Sequence, residues 1–400
     1  MPLQRNKTPV PAGFKFSAVS ADIKYKNRND LALIYTERPA TVSGAFTTNL
    51  VKAAPVVVTK RHLRTATARA ILINSGNANA CTGQRGINDA LYLIKNLSKE
   101  LGIANQDVLV SSTGVIGTPL PVERMKAKIP ELINGLDTGS IEDVAEAIMT
   151  TDTFPKLTHT HFRKGKKLYT ITGVAKGAGM IAPNMATMLS FVVTDLPVAG
   201  RALKLAVKEA VAETFNCITV DGDMSTNDMV IVMANGAAGG TVLDEQSRYF
   251  KNFKRSLTEL MDTLARMIAS DGEGATKLII IRIKGAKSKS DARKAALTIA
   301  NSPLVKTAIY GHDANWGRIM AALGRSGTRI KEGLISIRIN NIEIVKNGIA
   351  TGRDPEAGQS IKNSTEVFID INLSSGPHHI RVYTCDLTEE YIRINAEYRT

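Results

Sequence analysis

Residues 176–189 read Lys-Gly-Ala-Gly-Met-Ile-Ala-Pro-Asn-Met-Ala-Thr-Met-Leu, and the reading of the whole chain turns on them. A lysine opens a glycine-rich bend at Gly177 and Gly179, a Pro183-Asn184 turn follows, and Thr187 stands at the mouth of an apolar, strand-like run over 188–193. A threonine hydroxyl is a weak nucleophile unless a base lies beside it; cutting the chain just before the threonine frees an α-amine that is such a base. Ala186-Thr187 has the form that such a cut needs, a small residue after turn chemistry at the start of a strand. From these residues alone a plainer reading stays open. The glycines and Pro183 would then only shape a loop between two strands, with Thr187 an ordinary β-branched strand residue.

Composition narrows the class. Four hundred residues exceed what one core usually organises. Hydrophobic content of 44% with 22% charged residues is that of an ordinary globular protein. No apolar run is long enough to span a bilayer, and the polar N-terminus lacks the apolar core of a secretory signal. Three widely spaced cysteines, Cys81, Cys217 and Cys385, form no disulfide framework and suit a reducing cytoplasm. The net charge of +14 raises nucleic acid as a partner, but the excess is dispersed and aromatics are only 5%, so stacking platforms are scarce. A solvated basic surface is the better reading, with no nucleic-acid and no membrane partner. The densest basic cluster, residues 163–167, reads as a hairpin tip.

Strand-like and helix-like segments alternate along the chain. Residues 70–73, 107–110, 167–174, 188–194 and 229–233 read as strands; 86–101, 201–215 and 246–270 carry apolar residues at helical spacing. From about residue 277 the texture becomes β-rich with shorter helices. A domain boundary is expected near 284/285, giving a main α/β domain over 1–284 and a smaller α+β domain over 285–400. Mixed elements without a regular βαβ period predict a layered α/β or α+β sandwich.

Several polar, glycine-containing segments interrupt this apolar framework. Residues 111–117, Ser-Ser-Thr-Gly-Val-Ile-Gly, offer hydroxyls and backbone amides of the kind that stabilise an oxyanion. Residues 150–156, Thr-Thr-Asp-Thr-Phe-Pro-Lys, form a hydroxyl-rich turn, and 271–275, Asp-Gly-Glu-Gly-Ala, can present a carboxylate to an ammonium group. Residues 394–400 end the sequence without a polar tail. Thr118, Thr151 and Asp152 read as turn or capping residues rather than ligands. His312 reads as a loop histidine, and Trp316 as packing. Asp221 and Asp223 mimic a metal loop, but its spacing does not continue, so no metal is assigned.

Taken in order, these segments resemble the glutamate N-acetyltransferase (ornithine acetyltransferase) family of arginine biosynthesis. The likeness runs from Pro11-Ala12-Gly13-Phe14 to Thr400 and is most specific over residues 111–117, 150–156 and 176–189. It implies an N-terminal-nucleophile fold that cuts itself between Ala186 and Thr187, with the C-terminal tail returning to the active site. The implied reaction moves acetyl from N-acetylornithine to glutamate. Thr187 would be the nucleophile, and Thr113 and Gly114 the oxyanion hole. Thr153, Lys176, Thr187, Glu273, Asn395 and Thr400 would bind substrate. The resemblance implies no cofactor, leaves acetyl-CoA open as an alternative donor, and implies a heterotetramer of two α and two β chains. One rival reading keeps the same Thr187 but lets water replace glutamate, giving a hydrolase. A basic nucleic-acid binder is the other rival, favoured only by net charge.

Overall fold

The computed structural model describes residues 8–182 and 188–397. Two sheets organise them. The first contains β1 (Phe14–Val19), β2 (Leu31–Phe46), β3 (Thr67–Asn74), β4 (Val108–Ser112), β5 (Lys156–Lys164), β6 (Lys167–Lys176), β7 (Leu189–Thr194) and β8 (Met229–Ala234), in the order β4-β3-β2-β8-β7-β6-β5 with β1 beside β2. The long strand β2 bends: its first half pairs with β1 and its second half with β8, and the register with β3 shifts between Tyr35 and Ala40. β7 and β8 run parallel, Leu189 opposite Met229, while β6 and β7 are antiparallel, Lys176 opposite Leu189. Lys176 and Leu189 therefore close the same end of the sheet, on either side of the segment that opened the sequence analysis.

β7 and β8 are buried at every residue, because helices cover both faces of the sheet. Val192, Val230 and Val232 pack in one cluster with the helices Gly200–Glu213 and Phe250–Ser270, while Phe191, Val193 and Ile231 pack in another with the helix Ile141–Ala147. Helix Gly83–Leu101 lies over β3 and β4. Gly173 on β6 sets the closeness of one layer contact: a Cβ there would sit 2.8 Å from Leu260 Cδ2 and 3.1 Å from Leu264 Cδ1 of the long helix.

The second sheet holds β9 (Leu278–Ala286), β10 (Ser336–Ile339), β11 (Ile342–Lys346), β12 (Ile349–Ala350), β13 (Glu366–Asn372) and β14 (His378–Cys385), in the order β12-β11-β10-β13-β9-β14. One face buries Ile279, Ile281 and Ile283 against helices Lys289–Ala300 and Trp316–Gly324. The other brings Leu278, Ile280 and Tyr383 into the cluster of helix Phe250–Ser270. That helix thus lies between the two sheets, which gives the layered α/β architecture expected. The expected boundary at 284/285 falls inside β9, so the second sheet begins at Leu278. Most expected helices and strands occur within a few residues of their observed ends. The basic hairpin tip occurs between β5 and β6. Among the described residues no helix is long and apolar enough to cross a membrane.

Candidate active site

The end of the first sheet that carries Lys176 opens onto a cavity of about 270 Å³. Six separate stretches converge there: the loop after β3, the turn after β4, the residues before β5, the end of β6 with the bend after it, the loop before β8, and the turn after the long helix. The C-terminal helix Glu389–Glu397 closes it with Tyr391 and Asn395.

Thr113 and Gly114 form one wall. The Thr113 amide donates to Asn74 O at 3.0 Å, and Val115 N donates to Gly76 O at 3.3 Å, so the turn is laced to the loop after β3. Position 114 accepts only glycine. Its φ is +132°, and a Cβ would lie 2.3 Å from the Gly76 carbonyl carbon and 2.5 Å from Asn77 N. Among the described residues the Gly114 amide has no hydrogen-bond acceptor. With its amide spent on Asn74, what Thr113 offers the cavity is its hydroxyl.

Lys176 reaches the same wall from β6. Its side chain is 4% exposed. The ammonium donates to Thr150 Oγ1 at 2.7 Å and to Thr113 Oγ1 at 3.4 Å, and lies 3.8 Å from Asp152 Oδ2. Burial pushes its pKa below the ordinary lysine value, against the pull of the Asp152 carboxylate. Three acidic residues line the same cavity: Glu273, Asp221 and Asp223. Glu273 Oε2 accepts from Asn395 Nδ2 at 2.8 Å, and the Glu273 amide donates to Ala178 O at 3.0 Å. Gly179 leaves room for that carboxylate, since a Cβ there would meet it at 2.3 Å. Asp221 accepts from Met180 N at 2.6 Å and Ile181 N at 2.9 Å. Burial raises the Asp221 pKa above the usual carboxylate range, and burial likewise raises that of the Tyr391 phenol. The cavity therefore holds a buried ammonium together with several acidic residues.

The flanks of residues 183–187 are anchored from several sides. Gly177 N donates to Asp152 Oδ1 at 2.6 Å, and Ile181 O accepts from Val220 N at 2.9 Å and Thr219 Oγ1 at 3.0 Å. Beyond the segment, Met188 N donates to Asp228 Oδ1 at 3.1 Å and Met188 O accepts from Met229 N at 3.2 Å. Asp228 is wholly buried, and burial drives its pKa well above the ordinary carboxylate value.

Of the expected site residues, the structure brings Thr113, Gly114, Lys176, Glu273 and Asn395 around one cavity. Ala186, Thr187 and Thr400 lie outside the described residues. Thr153 does not line the cavity: its amide donates to Asp271 Oδ2 at 3.0 Å and its hydroxyl bonds the other carboxylate oxygen. Thr150 and Thr151 of the same turn line the cavity instead, so Thr151 is more than a turn residue. Asp152 likewise departs from the capping role expected of it. It is 8% exposed with a fully buried side chain, and it holds Lys156 at 2.7 Å. The reading of the sequence also missed Asn227, whose amide donates to Ala78 O at 2.6 Å and Ser112 O at 2.8 Å and so ties two cavity walls together. Asp221 and Asp223, which read in the sequence only as mimics of a metal loop, line the cavity as well. Their place after an apolar strand-like run was the available signal. Among the described residues no three His, Cys, Asp or Glu side chains converge as a metal-binding group.

Comparison with known proteins shows the family. A profile of the ArgJ family matches residues 15–400. The arginine biosynthesis bifunctional protein ArgJ of Geobacter sulfurreducens is 49% identical over 389 residues, covering 97% of this chain and 99% of that one. Its counterpart in Caldanaerobacter subterraneus is 47% identical over 404 residues, covering 100% of both. The crystal structure of the arginine biosynthesis bifunctional protein ArgJ from Bacillus halodurans superposes with a TM-score of 0.52 at 46% identity, covering 53% of this chain and 100% of that one. A match over nearly the full length, at close to half identity, places this chain in the ArgJ family, the acetyltransferase family of arginine biosynthesis that its motifs resemble.

Proposed function

We propose that the protein transfers an acetyl group from N-acetylornithine to glutamate through an acetyl-Thr187 intermediate, after cutting itself between Ala186 and Thr187. The observation that carries the reading is the charge make-up of the cavity: a buried ammonium, Lys176, beside Thr113 and Gly114, with the Glu273 carboxylate lining the same cavity and held by Asn395. Both substrates carry an α-carboxylate, which suits Lys176. The side-chain ammonium of N-acetylornithine suits Glu273.

In this mechanism the freed α-amine of Thr187 takes the hydroxyl proton as Oγ attacks the acetyl carbonyl. The Thr113 hydroxyl and the Gly114 amide hold the oxyanion. The C–N bond then breaks, the proton passes to the departing ornithine amine, and acetyl remains on Thr187. Glutamate's amine attacks that ester, Thr187 regains its proton, and N-acetylglutamate leaves. Two further points support the self-cleavage. The segment is anchored on both flanks by hydrogen bonds to separate loops. The whole Bacillus halodurans chain also matches a little over half of this one, the share that a product beginning at Thr187 would have.

We read the active form as a heterotetramer of two such processed pairs in the cytoplasm, without a cofactor. Acetyl-CoA is a second donor to be assayed beside N-acetylornithine. Ornithine release from N-acetylornithine, measured with and without glutamate, tests the proposal: strict dependence on glutamate is expected of the transferase. Release at the same rate without glutamate would make the protein a hydrolase instead.

A further inference from the structure

Among the described residues, Lys176 is the one buried cation that lines the cavity, and it has no full negative charge at hydrogen-bond distance. Lys176 donates to two neutral hydroxyls, Thr150 at 2.7 Å and Thr113 at 3.4 Å. Removing an ammonium from water without a close counter-ion favours its neutral amine. A neutral amine is a poor receptor for a carboxylate. Something must hold the charge in place.

Asp152 is built to do so. Its carboxylate is used on every side: Oδ1 takes Lys156 Nζ at 2.7 Å and Gly177 N at 2.6 Å, and Oδ2 takes Thr150 N at 3.0 Å and faces Lys176 Nζ at 3.8 Å. Lys156 is fully buried and shared with a second carboxylate, Asp271 Oδ2, at 2.5 Å. Two lysines and two aspartates thus form a buried set whose charges cancel when Lys176 is protonated. The set also joins three stretches of the site, because residues 150–156, the end of β6 and the turn that carries Glu273 all contribute to it.

We propose that Asp152 is the positioning residue of the active site, holding the Lys176 side chain as an ammonium against Thr150 and Thr113 so that it can receive the substrate carboxylate. Asp152 does not touch substrate in this account; it acts through Lys176. The inference rests on the reading of Lys176 under Proposed function.

The neighbouring charges fix the sign of the test. Burial lowers the Lys176 pKa; Asp152 opposes this most strongly, with Glu273 and Asp228 adding to Asp152's effect and Lys156 to burial's. Asp221, Asp223 and Tyr391 line the same cavity, and behind Lys156 lies Asp271. Burial pushes the Asp152 carboxyl up, but Lys176 and Lys156 outweigh it and hold Asp152 ionised, well below the usual carboxylate range. Substituting Asp152 removes the largest influence that keeps Lys176 charged, so the ammonium is lost at lower pH. Substituting Lys156 removes a repulsion and moves the loss to higher pH.

The experiment is the pH dependence of kcat/KM for N-acetylornithine, at saturating glutamate, in the processed enzyme. Asp152→Asn is expected to raise KM more than it lowers kcat and to move the alkaline limb down by roughly one pH unit or more. Lys156→Met is expected to move the same limb upward, and it keeps the inference testable if Asp152→Asn does not fold. Lost activity with the limb unmoved in these variants would mean that Asp152 only braces the loop, and would overturn the inference. Lys176→Met separates this from the underlying reading: an unchanged KM in that variant would show that Lys176 receives no substrate carboxylate.

Discussion

At the scale of single residues, the work divides between the turn at Thr113 and Gly114 and the carboxylate of Glu273. Thr113 offers a hydroxyl and Gly114 an amide where negative charge would develop, so Thr113→Ala should act in the transition state more than in the ground state. We expect kcat to fall by about 10²-fold with KM little changed, as for loss of one oxyanion donor. Steady-state kinetics decide it, and a raised KM with intact kcat would place Thr113 in substrate binding. Glu273→Gln addresses the carboxylate. It should weaken N-acetylornithine by about 1–3 kcal/mol, seen as a raised KM, and leave glutamate nearly unaffected; equal losses for both substrates would make Glu273 a brace for the turn. These residues were legible because each interrupts an apolar run with glycine and polar chemistry, and because the resemblance to the family singles out their positions. Asp152 was not. A Thr-Thr-Asp-Thr turn looks the same whether its aspartate faces water or a buried lysine. What distinguishes them is Asp271, reached by Lys156 across more than a hundred residues of chain. Asn227 and Tyr391 escaped notice for the same reason.

At the scale of elements, apolar period carried most of the information. Strands β7 and β8 are apolar throughout because both faces are covered, and helices Gly83–Leu101 and Phe250–Ser270 show their buried stripes plainly. Strand pairing was less readable. The irregularity in β2, beyond which the strand pairs with a different neighbour, falls at the exposed Glu37-Arg38-Pro39, and its proline, which cannot donate to a ladder, was the available signal. The change of texture near residue 277 coincides with the start of β9, and Gly285, beside the expected boundary, sits at φ +72° near the end of that strand, where a Cβ would meet Ser374 N at 2.6 Å. Gly173 gives an element-scale prediction. It lets β6 approach the long helix, whose C-terminal turn carries Asp271 and Glu273. Gly173→Ala should overpack that contact against Leu260 and cost about 1–3 kcal/mol of stability, measured by urea unfolding. No loss would mean that the two layers separate freely to admit a methyl group.

At the scale of the whole molecule, the fold assembles a cavity at one end of a covered sheet and then closes it with the far C-terminal helix. Every wall comes from a different part of the sequence, and the two strands beside the 183–187 segment are paired along the whole of β7, from Lys176 opposite Leu189 to Ile171 opposite Thr194. The chain can therefore be cut between them without losing the pairing that holds both halves in one sheet. The direct test of the account is intact mass under denaturing conditions, measured together with transferase activity on the purified protein and its Thr187→Ala variant. The 400-residue chain of 43.1 kDa should appear as two chains of 186 and 214 residues, roughly 20 and 23 kDa, and be active. The variant should remain one chain and be inactive, since it lacks the attacking oxygen for both steps. A single uncut chain of full mass that carries out acetyl transfer at the full rate would contradict the account.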